Sequence, residues 1–205
     1  MDKIYKNIGL VGSSQIKWFP TELLKQQGLR PIKLSHKPTN TQDLIKSGKL
    51  EKVVQDIIEN HHQLDAVFLF IGANDIHRKC SPRKIINNII SIANEFANIG
   101  VEPIIMPIIN REKPWGMNED HFNTIRNSIN RGLRNFYQRR GKFLRVMNIN
   151  NLTLKSDGVH LTYSSYKHLS RSIAHQMRQL TISNLRTTGR HILNNSEYSV
   201  QYFYQ

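Results

Sequence analysis

The chain has 205 residues and a mass of 23.9 kDa, enough for one domain with a full hydrophobic core. Its 39% hydrophobic and 8% aromatic content excludes wholesale disorder, and no run approaches the roughly 18 consecutive apolar residues of a membrane-spanning helix. Lysine and arginine number 29 against 15 aspartates and glutamates, a net charge of +14 that attracts anionic partners without specifying where they bind. The single cysteine, Cys80, excludes an internal disulfide. With the charged opening MDKIYKNIGLVG running straight into an apolar segment, it points to a cytoplasmic protein without a signal peptide.

Strand-length apolar runs alternate with segments of helical period, the pattern of an α/β sheet covered on both faces. Ile8–Val11 reads as the first strand, followed by a helix from Gln15 to Gln27 that Gly28 ends. Pro31–Leu34 is the second strand, and segments 41–47 and 50–60 form a broken helical crossover to a third at Ala66–Ile71. Ser81-Pro82 caps and opens a helix that Gly100 stops, with positions 85, 86, 89, 90, 93, 96 and 97 apolar. Glu102–Met106 is the fourth strand. The next helix, Asn118–Arg139, places Phe122, Ile125, Ile129, Leu133 and Phe136 on one side. A fifth strand at Phe143–Met147 precedes a helix at Ser164–Leu180, with Tyr166, Leu169, Ile173, Met177 and Leu180 on its stripe. Beyond Leu180 the period fades, so residues 1–180 read as one domain and 181–205 as a tail or docking segment. Its aromatics, Tyr198, Tyr202, Phe203 and Tyr204, suit packing or base stacking.

In a parallel sheet, ligands sit beyond the carboxyl ends of the strands. Gly12-Ser13-Ser14 follows the first strand, Gly72-Ala73-Asn74-Asp75 the third, and Asp157-Gly158-Val159-His160 the fifth. Together they hold the parts of an acyl-transfer site. Ser14 is a nucleophile once His160 takes its proton, and Asp157 fixes the imidazole tautomer and stabilises the imidazolium. The Ser14 backbone N–H and the Asn74 amide supply oxyanion donors. Each element also has a plainer reading: a serine helix cap at 13–14, a turn pair at 74–75, a capping aspartate at 157 and a helix-start histidine at 160. A phosphate cradle at GLVGSS lacks both the G-x-x-x-x-G-K-[ST] and the G-x-G-x-x-G patterns. His61, His62, His77 and Cys80 have no metal-ligand spacing, so no metal site is expected.

The three blocks, in this order and spanning roughly residues 5–180, resemble those of the SGNH hydrolases, the GDSL-type esterase/lipase superfamily. The phrases IGANDI, VEPIIMPI and DGVHLT are also similar to esterase-like domains of retrotransposons and some viruses. The resemblance implies a flavodoxin-like three-layer α/β/α sandwich with a five-stranded parallel sheet of order 2-1-3-4-5. It implies no cofactor, and substrates among esters of lipids, acetylated sugars and other small acyl groups. By position, Ser14, Asp157 and His160 correspond to the catalytic triad and Asn74 to an oxyanion donor, with Gly12, Gly72 and Asp75 completing the motifs.

Two positions depart from the family pattern. Ser13 stands where aspartate is usual. In SHKPTNTQDL, Pro38 falls at the glycine whose N–H completes the oxyanion hole, and proline has no N–H. Either Thr39 or Asn40 supplies that donor, or catalysis is slowed, or the site is degenerate. The alternative function is a non-catalytic module of the same fold that binds nucleic acid or another polyanion. Its basic face would comprise Arg126, Arg131, Arg134, Arg139, Arg140, Lys142 and Arg145, in a stretch from Asp120 to Asp157 with no carboxylate between them.

Overall fold

The computed structural model describes residues 6–12, 14–35, 40–137 and 152–200. Strand β1 (Asn7–Gly12) is followed by α1 (Ser14–Trp18), α2 (Thr21–Lys25) and β2 (Arg30–Ser35). The single helix expected over 15–27 is thus two, because Pro20 lacks an amide hydrogen and takes an extended conformation (ψ 102°). Helices α3 (Thr41–Lys46) and α4 (Lys49–Asn60) form the broken crossover, divided where Gly48 adopts φ +67°. Strand β3 (Ala66–Phe70) leads through a single 3-10 turn at Ala73–Asp75 to α5 (Pro82–Asn98), whose cap Ser81 accepts a hydrogen bond from the Lys84 amide. Then come β4 (Glu102–Ile105), α6 (Glu119–Tyr137) and α7 (Tyr163–Val200).

The four strands form one parallel sheet of order β2-β1-β3-β4, the expected topology as far as the described residues extend. The fifth strand, expected at 143–147, lies outside them. Alternation along the strands divides the core into two layers. Ile8, Leu10, Ala66, Phe68 and Ile104 face α1, α2 and α7, packing on Phe19, Leu24, Tyr166 and Ile173. Val11, Val67, Leu69 and Ile105 face the other way, toward Leu44, Ile57, Ile89, Phe96, Ile129 and Leu133 of α3 to α6. The result is the three-layer sandwich.

Two further expectations need correction. On α6 the apolar stripe ends at Tyr137, 2% exposed, rather than at Phe136, which is 40% exposed and packs edge-on against the Tyr137 ring. Helix α7 does not stop at Leu180 but continues to Val200, so most of the segment expected to lack a clear element is helical. The fading amphipathic period removed the helical signal there, although no proline intervenes to break the helix.

The carboxyl edge of β1 is tightly built. Gly12 lies opposite Phe70, and a Cβ at residue 12 would meet the Phe70 carbonyl oxygen at 2.5 Å and its Cβ at 2.7 Å. Just beyond, the buried Gln15 joins three segments. Its Nε2 donates to the Val159 carbonyl (2.6 Å), and the Tyr166 hydroxyl of α7 donates to the Gln15 Oε1 (2.8 Å) and carbonyl (3.1 Å). Burial, with the nearby Asp157 charge, raises the Tyr166 pKa, so the hydroxyl keeps the proton it donates.

Two outcomes follow for stability. Gly12→Ala forces a methyl against backbone and is expected to lower unfolding free energy by about 1–3 kcal/mol in urea titrations. Gln15→Leu keeps similar volume but leaves Val159 and Tyr166 without their partner; a loss of roughly 1–3 kcal/mol is expected by the same measurement.

Candidate active site

Three loops meet at the carboxyl edge of the sheet. Ser14, partly buried, is the first residue of α1 and directly follows the β1 exit. The loop before α7 carries Asp157 and His160. Asp157 Oδ2 lies 2.8 Å from His160 Nδ1, while its Oδ1 accepts the backbone N–H groups of Val159 (2.8 Å) and His160 (2.9 Å). These bonds, first the His160 amide, then its imidazole, then the Val159 amide, hold the Asp157 carboxyl well below the usual carboxylate range. Asp157 therefore remains an anion facing Nδ1. The opposite ring nitrogen, His160 Nε2, is buried and has no hydrogen-bond partner among the described residues.

The first and third loops are joined by the Gln15 to Val159 bond and by Trp18, whose ring meets the His160 ring edge-on with centroids 6.1 Å apart. Trp18 is half exposed. Lys17 and Lys155 place their ammonium groups 5.4 and 5.1 Å from its centroid, so the rim beside His160 is cationic.

Asn74 sits on the short turn after β3, where Gly72 takes φ +99°. Its Oδ1 accepts a 2.6 Å hydrogen bond from Arg111, which orients the amide and leaves Nδ2 as the donor end. Arg111 belongs to the loop after β4, and that loop is fixed at both ends. Asn130 of α6 makes two 2.8 Å bonds to the backbone of Ile108, and the Glu112 amide donates to the Gly158 carbonyl (2.9 Å). The Asn74 block and the Asp157-His160 block are thereby connected through residues 111–112.

Asp75 does not enter this set. Its carboxylate accepts from the Thr41 backbone N–H (2.9 Å) and hydroxyl (2.5 Å), anchoring the start of α3 to the turn that carries Asn74. Burial pushes its carboxyl upward, opposed by the Thr41 bonds. A polar cavity of about 360 Å³ opens beside Asn74, with Asn40, Asp43, His77, Lys84 and Asn88 in its walls. Asn40 caps α3 by accepting the Asp43 amide (2.7 Å). Thr39, the other expected donor, lies outside the described residues, as do Pro38 and Ser13.

The expected basic face is partly corrected. Arg131 and Arg134 are exposed, but Arg126 is 7% exposed. It lies four residues after Phe122 and three before Ile129, on the inward side of α6. Arg139, Arg140, Lys142 and Arg145 lie outside the described residues. Among the described residues no cluster of histidine, cysteine, aspartate or glutamate has the arrangement of a metal site, and no helix is long and apolar enough to cross a membrane. Gln15, Trp18 and Arg111 were not anticipated as site residues. Arg111 had a readable signal, its place just past the fourth strand at the carboxyl edge.

No protein-family model matches the chain, and no curated protein does. Solved structures do match. A GDSL-like lipase from Bacteroides thetaiotaomicron is 17% identical with a TM-score of 0.65, over 85% of this chain and 89% of that one. A lipase/acylhydrolase from Enterococcus faecalis is 16% identical with a TM-score of 0.63, over 85% and 96%. A carbohydrate acetylesterase from Sinorhizobium meliloti is 14% identical with a TM-score of 0.63, over 85% and 99%. With the parallel sheet and its two helical layers, these similarities establish that the chain has the fold of the GDSL-type, or SGNH, hydrolases.

Proposed function

We propose that the protein is a serine ester hydrolase with Ser14 as nucleophile, His160 as general base and acid, and Asp157 as the residue that orients His160. The observation that carries this reading is the Asp157–His160 pair. One ring nitrogen is held by a carboxylate, while the other, buried and unpartnered among the described residues, is available to receive a proton.

In this mechanism the Ser14 hydroxyl attacks the ester carbonyl carbon as His160 Nε2 takes its proton. The oxyanion accepts hydrogen bonds from the Ser14 N–H and the Asn74 amide, each such donor typically worth ~10²–10³ in rate. A further donor would come from the loop holding Pro38, Thr39 and Asn40. His160 then gives the proton to the departing alcohol, leaving an acyl-serine. Water attacks that ester, again losing its proton to His160, and the acid product leaves with Ser14 restored. The fold likeness to lipases, an acylhydrolase and a carbohydrate acetylesterase supports the reaction class.

The net charge of +14 supports a second, compatible reading, contact with nucleic acid or another polyanion, to which the exposed Arg131 and Arg134 would contribute. Such binding would weaken steeply as salt rises, because phosphate contacts release counterions.

Hydrolysis of p-nitrophenyl acetate and labelling by a fluorophosphonate probe test the esterase reading directly. Both are expected in the wild type and both should vanish in Ser14→Ala; hydrolysis that survives the substitution would refute the assignment. Asp157→Asn preserves the shape of the loop but removes the charge facing Nδ1. Its kcat is expected to fall by about 10²–10⁴, measured at the pH of maximal wild-type activity.

A further inference from the structure

Arg111 is bonded to the proposed oxyanion donor, and its surroundings among the described residues do not neutralise it. Its NH2 donates to Asn74 Oδ1 at 2.6 Å, and its Cζ lies 5.9 Å from the Phe122 ring centroid. Among the described residues no carboxylate pairs with it. The nearest acidic residues in sequence do not serve. Glu119 accepts from Asn110 at 2.8 Å, while Glu112 is exposed. Asp157, across the joined loops, is occupied by His160. Burial depresses the Arg111 pKa, though guanidinium remains protonated at any working pH.

A partly buried cation without a counter-charge is unfavourable, and an anion brought beside it relieves that cost. Arg111 still has donors beyond the one used by Asn74, in the planar fork that matches a carboxylate or phosphate. The approach is cationic as well. Lys17 and Lys155 flank Trp18 beside His160, and Lys113 donates to the Ser156 carbonyl at 2.9 Å. Resting on the esterase reading above, we propose that Arg111 makes this site selective for esters that carry an anionic oxygen group close to the scissile bond.

The test uses two pairs of esters, each pair differing only in charge. Mono-p-nitrophenyl glutarate and its methyl ester place the charge on the acyl side; para-acetoxybenzoate and its methyl ester place it on the alcohol side. In the wild type the charged member of at least one pair should have a kcat/KM roughly tenfold higher, about 1.4 kcal/mol of transition-state preference. In Arg111→Gln that ratio should fall to near one. Disturbance of Asn74 slows both members of a pair alike, so the ratio isolates the charge. The favoured pair identifies the side on which the anion sits. Lys155→Ala, which weakens the general field at the rim, should retain most of the preference.

Wild-type ratios at or below one in both pairs would overturn the proposal. So would a ratio that survives Arg111→Gln, or one abolished as fully by Lys155→Ala. Should none of the four esters be hydrolysed in a Ser14-dependent manner, the esterase reading fails by itself. Arg111 is then judged by calorimetric titration of Ser14→Ala with glutarate. Binding that disappears when Arg111→Gln is added supports an anion subsite, and the absence of binding rejects it.

Discussion

The central position of β1 constrains everything at the candidate site. Paired in parallel with β2 on one side and β3 on the other, it has both faces covered by core side chains and no solvent face along its length. Chemistry that starts from this strand can emerge only at its carboxyl end. There Gly12 presses against the Phe70 backbone with no space for a Cβ, and the chain turns directly into α1 with Ser14 at its first position. The serine is therefore positioned by the packing of the sheet, which no surface loop could match for precision.

The loops that complete the edge are held by polar contacts. Asp75 holds the start of α3, Asn130 holds the exit of β4, Arg111 holds Asn74, and Gln15 holds the His160 loop to α1. Each hydrogen bond contributes only ~0.5–1.5 kcal/mol net to stability. Their directional geometry matters more, because catalytic groups must be placed within a fraction of an ångström while the loops themselves have little apolar surface to bury. The same bonds explain why the second motif contains two adjacent polar residues with different fates. Asn74 faces the edge and Asp75 ties down the neighbouring loop.

Charge is distributed with similar selectivity. The excess of lysine and arginine forms more than a uniform solvated coat. Arg126 is inside α6's packed face, Arg111 is partly buried beside Asn74, and Lys17, Lys113 and Lys155 gather around the Asp157-His160 loop. A cationic surrounding of this kind attracts anionic groups in general and steers their approach. Overall net charge alone would have predicted attraction without direction.

Alternating strand and helix periods, with turn residues at the ends, determined the three-layer α/β class, the first four strands and the order of the motif blocks. Those features depend on local periodicity and on backbone chemistry at glycine and proline, which a sequence displays directly. The break at Pro20 was equally written there but was overridden by the apolar pattern running through it. Burial of Arg126, the inward turn of Tyr137 in place of Phe136, and the partnership of Arg111 with Asn74 were decided only by tertiary packing. Each depends on which face of a helix or which loop meets another element far away in the chain. The same holds for His160, whose position beside Asp157 follows from a three-residue spacing, while the bond from Gln15 that ties its loop to α1 joins residues 144 positions apart.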